Sequence, residues 1–469
     1  MTRQLLLDRR DLYRRFLLVV FALSLFCEFL DAQAAISTVE EKQFEAAMSA
    51  MDRGDAVQAE TLLKPLQIKH SDLFALNESL GLLYARQNRL QEALPLLKAA
   101  ANEQPSSDVA HANLGSAYFK LGKNADALRE LEQAARINPA NVSTQQTLGE
   151  VWTQQHQPDR AAHAFASALR LSPDNPDLAY DEALALHESG QSEEAKDVLA
   201  HMQGVDQSAA AQSLYGDIEE KLGNYKEAVQ RYGSAANLDP SEINVFTLGT
   251  EFLRHWTFEP AIQEFNFGIS HFPASVKMRL ALGIAYYGNR NYDKSLPIFT
   301  HLLEDDPDNV LYAELVGRTC MVETEGADTR CDSLVQFTKR HPENALITTF
   351  AAAHIIQDLE ASSQMELAHS LLTAALKTDP KLSLAQYQLG MLMQTEEHWA
   401  DSIPYLEAAI HLQPEYSEAH YRLGLAYVRV GRKNDAHTEM LLFRKYHQQA
   451  EEEQNAKLRQ ITTFVVSMR

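Results

Sequence analysis

The side chains able to do chemistry in this 469-residue chain are its 17 histidines, its three cysteines and its adjacent acids. The histidines form no His-Glu-x-x-His and no closely spaced pair, whereas a helical zinc site of that kind needs two imidazoles one turn apart. His156, His187 and His398 stand singly, at places that read as inter-helix turns or helix ends, where water solvates them. Gly115…Gly122-Lys123 has the composition of a phosphate-cradling loop. Six residues separate its glycines instead of four, and Asn124 stands where a magnesium-binding Ser or Thr belongs. No Gly-x-Ser-x-Gly elbow presents a nucleophile. Glu193-Glu194 and Asp305-Asp306 fall at helix starts or turns, where negative charge suits the helix dipole or water. No general acid/base pair can be built from them. These patterns predict no catalysis, no cofactor and no metal.

The elements that would have to position any site repeat. Gly81, Gly115 and Gly149 are 34 residues apart; Gly216, Gly249, Gly283 and Gly317 resume the beat with one 33-residue step, and Gly390 and Gly424 close it. Small residues follow twelve positions later at Ala93, Ala127, Ala161, Ala228, Ala261 and Ala436. Prolines stand 24 positions after the glycines, at Pro105, Pro139, Pro173, Pro240, Pro273, Pro307 and Pro414. A fixed period of this length means stacked copies of one supersecondary unit. In 108–141 the apolar positions Leu114, Tyr118 and Leu121, and then Ala127, Leu128, Leu131, Ala134 and Ala135, mark two helical stripes. Gly122 and Asn124 punctuate the halves, and Pro139 stops the second helix. Gly115 and Ala127 are expected to face each other and let the helices approach closely, so that a Leu at either would splay them.

This pattern resembles the tetratricopeptide repeat. Leu-Gly-x-x-Tyr appears at Leu80-Gly81…Tyr84, Leu114-Gly115…Tyr118, Leu282-Gly283…Tyr286 and Leu423-Gly424…Tyr427, with variants ending in Trp152 and Phe252. Asn138-Pro139, Asp239-Pro240, Asp306-Pro307 and Asp379-Pro380 complete it. About twelve repeats start near 40, 74, 108, 142, 176, 209, 242, 276, 310, 345, 383 and 417, within an array over 38–450. The resemblance implies an all-α superhelix of antiparallel helix pairs. The ninth and tenth repeats are degenerate, so 317–365 is either an irregularity or a boundary between two blocks.

The N-terminus has a different character. Residues 1–15 carry five arginines, 16–27 are apolar except Ser24, and Ala32-Gln33-Ala34 is a small-x-small cleavage pattern. Residues 1–34 therefore read as a secretory signal peptide, with an uncleaved anchor as the alternative. The run is too short to span a bilayer, and no span is expected in the mature chain. The protein is expected to be exported, periplasmic or secreted. Phe26 makes Cys27 a poor lipoprotein cysteine, and Arg9-Arg10 only faintly resembles a twin-arginine signal. Export leaves Cys320 and Cys331, which read either as a disulfide or as two buried small residues. At the other end, 451–469 reads as a charged capping helix followed by the β-branched tail 461–466, which packs on the last repeat, is disordered or docks to a partner. The net charge of −22 argues against nucleic acid as a partner.

Function must then come from the first helices, which line the concave face in the family. Carried onto this chain, repeats two to four offer a mainly polar set: Glu78, Leu82, Arg86, Ser116, Phe119, Lys120, Gln146, Glu150 and Gln154. Repeats seven to twelve offer Phe246, Leu253, Leu280, Ile284, Tyr287, Met321, Tyr387, Met391, Tyr421 and Leu425, with Arg254, Lys277, Arg318 and Arg429 interspersed. An aromatic and Met-rich strip of this kind suits a peptide or helix. No repeat pairs Lys at its fifth position with Asn at its ninth, which disfavours the carboxylate clamp for chaperone tails. The expected function is a non-catalytic scaffold for a protein partner. Alternatives are an accessory of glycan-handling machinery or a regulatory subunit of a separate enzyme.

Overall fold

The computed structural model describes residues 37–322, 329–357 and 364–449. The signal segment 1–34 and the tail 451–469 lie outside the described residues. Among these residues every regular element is helical. First helices begin at Thr38, Phe74, Asp108, Val142, Pro176, Ala209, Glu242, Val276, Val310, Ala345, Ser383 and Ser417. Each pairs with a second helix that follows, the last of these covering 433–449.

One repeat shows why the sequence folds this way. Ser107 caps the helix Asp108–Lys120 by accepting a hydrogen bond from the Ala110 amide. Gly122 then turns the chain at φ +71°. The helix Asn124–Ile137 ends at Asn138, whose extended backbone (φ −134°, ψ 89°) is what the following Pro139 imposes. Leu114, Tyr118, Ala127, Leu131 and Ala134 are buried between the pair and its neighbours. A Cβ on Gly115 would lie 2.6 Å from Leu131 Cγ, so the glycine sets the approach of the two helices. The same turn position is filled by non-glycine residues at Asn88, His156, Trp256, Arg290 and Glu397, all with positive φ. Each costs about 1 kcal/mol or more relative to glycine, so five turns are held left-handed by the packing on either side of them.

The chain divides into two compact units, one ending at Gly204 and the other beginning at Val205. This division falls in the fifth repeat, outside 317–365. Its cause is local: the second helix of that repeat is cut to Ser192–His201, and the 3-10 turn Val205–Gln207 follows. The first unit has a core running from Ala47 to Ala164. The second is built around successive clusters, including one on Phe252, Phe265 and Met278 and one on Phe299, Phe337 and Phe350. The described residues of 317–365 lie inside the second unit. There the ninth repeat's second helix shrinks to Ser333–Arg340, and Ala345–Gln357 is apolar nearly all round and buried over eleven of its thirteen residues.

Candidate functional site

In the second unit the expected strip lies on the first helices Glu242–Arg254, Val276–Gly288, Val310–Val322, Ser383–Thr395 and Ser417–Arg429. Ile284 and Tyr421 are each 40% exposed. Phe246, Leu253, Leu280, Tyr287, Met321, Met391 and Leu425 are half-buried. Phe246 lies 6.1 Å from the Phe265 ring, and Tyr287 meets Tyr292 edge-on at 5.5 Å. Tyr421 packs beside Phe443 at 5.2 Å.

Two corrections follow. Tyr387 is only 9% exposed and belongs to the core with Leu406, Ala409 and Leu423, its ring 4.8 Å from that of Tyr416. It is a packing residue rather than a groove anchor, and burial pushes its phenol upward. The cations of the strip are also engaged within the chain. Arg254 Nη1 binds Glu220 Oε1 at 2.9 Å and Glu251 Oε2 at 3.0 Å, Lys277 meets Glu242 at 3.2 Å, and Arg318 meets Glu314 at 2.7 Å. Lys277 Nζ also sits 5.0 Å from the Phe246 ring centroid. An incoming acidic segment would have to compete with these carboxylates. The strip is moreover interrupted at the tenth repeat, where Thr349, Ala353 and Ile356 are buried.

The first unit is less bland than its sequence suggested. A cavity of about 330 Å³ is walled by Phe119, Phe165 and Leu184 and carries Glu150, Asp181 and Glu188. Burial raises the Glu150 carboxyl. Asp181 is pushed up to about 6 by burial and then by Glu150 and Asp177. Sequence reasoning missed Asp181, because a lone acid inside a helix gives no sign of its burial. Its raised value makes the neutral form the one that folding favours. The stability tied to that proton is complete below about pH 4 and is lost as pH rises through about 6. Asp181→Asn should therefore match the wild type in urea unfolding at pH 4 and exceed it by about 1–2 kcal/mol at pH 8, after allowance for solvent screening. A variant less stable than the wild type at pH 8 would contradict this.

The second unit also assembles a group that sequence reasoning passed over. Glu220, Glu251 and His255 bring three possible ligand atoms within 4.8 Å of one another. The expectation of no close ligand pair considered histidines only. The i, i+4 spacing of Glu251 and His255 was legible, but Glu220 joins them only through repeat stacking. Glu251 is 2% exposed, and burial together with the Glu220 carboxyl pushes it well above the usual carboxylate range. Burial works against charge on Glu220, but hydrogen bonds from Glu251, Arg254 and His255 outweigh it and hold that carboxyl low.

Cys320 and Cys331 form a disulfide with Sγ atoms 1.93 Å apart and Cα atoms 6.2 Å apart, both residues being buried. Among the described residues no helix is long and apolar enough to cross a membrane.

The fold and its strip define a stack of helix pairs whose first helices can present a surface, a class of interaction module. Two sequence models of the tetratricopeptide repeat match the chain, one over 84–149 and 153–218, the other over 44–109 and 387–437. The chain is a tetratricopeptide repeat protein. No curated protein matches it. Several solved structures resemble it. The Naa15/Naa10 complex bound to HypK-THB is 13% identical over 87% of this chain and 68% of that one, with a TM-score of 0.39. Pseudomonas aeruginosa pilF is 18% identical over 44% and 94%, with a TM-score of 0.38. YrrB, described as a TPR protein with an unusual peptide-binding site, is 20% identical over 39% and 94%, with a TM-score of 0.37. At these levels the likenesses bear on neither partner nor process.

Proposed function

We propose that this protein is a non-catalytic scaffold, exported to the cell envelope or beyond, that holds a polypeptide on the first helices of its second unit. The observation that supports the reading is the alignment of Phe246, Leu253, Leu280, Ile284, Tyr287 and Met321 on three successive first helices, with Ile284 40% exposed at its centre. Apolar and aromatic side chains on a partly dry concave face carry most of the energy when a peptide docks. Tyr421 and Leu425 offer a second, separate contact beyond the buried tenth repeat. Arg254, Lys277 and Arg318 serve mainly to keep their own carboxylates neutralised, so recognition rests on apolar fit.

The test begins with the mature protein as bait in envelope extract and continues with purified partner. Ile284→Glu together with Tyr287→Ala should weaken that complex by about 1–3 kcal/mol, or roughly 5- to 150-fold, with circular dichroism unchanged. Glu78→Ala with Gln146→Ala should leave it alone. Loss of binding in the second pair but not the first would move the site to the first unit, whose acidic cavity would then take a basic segment. Export has its own test: the N-terminus of the protein recovered from the envelope should begin near Ala35.

A further inference from the structure

Glu220, Glu251 and His255 are arranged in a way that an ordinary ion-pair network does not require. Glu220 lies at the end of the helix Ala209–Lys221, and Glu251 and His255 lie at the end of Glu242–Arg254. Stacking of consecutive repeats sets these two helix ends side by side. His255 Nε2 is 3.2 Å from Glu220 Oε2 and 3.0 Å from Glu251 Oε1. The outer oxygens, Glu220 Oε1 and Glu251 Oε2, are both taken by Arg254 Nη1. One oxygen of each carboxyl is thus held from outside by the guanidinium, and the other is turned toward the imidazole. The Tyr225 ring, 4.1 Å from the His255 ring, fixes the imidazole in this pose.

The spacing matches a small tetrahedral ion. Bonds of about 2.0–2.1 Å place the ligand atoms of such an ion about 3.3 Å apart, close to the two separations seen here. Ligating carboxylates are themselves commonly held by hydrogen bonds to their outer oxygens, which is the part Arg254 plays. We propose that Glu220 Oε2, Glu251 Oε1 and His255 Nε2 form a three-ligand site for a zinc-class divalent cation, with a water completing the shell. The cation takes the place of the proton lying between His255 Nε2 and the two carboxylate oxygens, which leaves to solvent, and Arg254 stays in place. One nitrogen and two oxygens suit zinc better than magnesium or calcium, which prefer larger all-oxygen shells. The site staples the sixth repeat to the seventh and does not depend on the polypeptide reading.

The experiment uses the full chain, stripped with a chelator and dialysed, and titrated with zinc chloride alone by calorimetry. One zinc per chain with a micromolar or tighter Kd is expected, together with a rise in Tm on loading. His255→Gln and Glu220→Gln should each weaken binding at least tenfold and abolish the Tm rise. X-ray absorption at the zinc edge of the loaded wild type needs no variant and should show one imidazole with two or three oxygens. No binding below millimolar zinc, unchanged binding in both variants, or a zinc shell with no imidazole or with several would overturn the proposal. The three side chains would then be a hydrogen-bonded ion network only.

Discussion

Gly283→Leu should destabilise the second unit by about 3 kcal/mol or more, the upper end of what overpacking a core costs. A Cβ alone at this position would lie 2.5 Å from Phe299 Cε1, and Phe299 is fully buried, so its ring has nowhere to go. A leucine adds three more carbons along the same direction. The first and second helices of the eighth repeat would have to separate, and separation at one repeat also loosens its packing on the next. Gly233, in the helix Tyr225–Leu238, supplies the contrast, because a Cβ there meets nothing within 4 Å. Gly233→Ala should gain about 0.5–1 kcal/mol from helix propensity. Two glycines of the same unit, both helical, are thus expected to respond with opposite sign. Urea unfolding followed at 222 nm reads both, and equal midpoints for Gly283→Leu and wild type would end the close-approach argument.

These glycines also show how far the sequence carries. The repeat beat placed Gly115, Gly249 and Gly283 at helix contacts, because a small residue returning every turn of the stack has only one steric use. Helix starts followed from the same beat, and so did the ends of the second helices, since each closing proline dictates an extended residue before it. The site was legible only in part. Repeat position assigned residues to the first-helix face, but it did not tell that Tyr416 folds over Tyr387 and takes it into the core. Nor did it tell that Arg254 would be spoken for by Glu220 and Glu251, because that pairing crosses repeats and depends on how two helix ends abut. The division at Gly204 was hidden because the shortened helix Ser192–His201 leaves the motif residues on either side of it in place.

Removing the Cys320–Cys331 bond should cost the second unit about 3 kcal/mol, the chain-entropy value for closing a short loop. The two cysteines are 11 residues apart in sequence. They sit where the array is weakest, since the ninth repeat's second helix has 8 residues where most second helices have 14. That helix brings Leu334 and Phe337 to a core shared with Val316 and Phe350. It offers too few turns to hold itself there, and a covalent tie to the end of Val310–Val322 limits how far it can stray in the unfolded chain. Cys320→Ala with Cys331→Ala, and separately reduction of the wild type, should lower stability by similar amounts, and neither should alter zinc binding at Glu220, Glu251 and His255. Thiol counting on unreduced, denatured protein lacking residues 1–34 should find no free thiol. Two free thiols in protein recovered from the envelope would remove the bond, and with it one physical argument for an oxidising compartment. An unfolding midpoint unmoved by reduction would instead leave the bond in place and show that core packing alone secures the repeat.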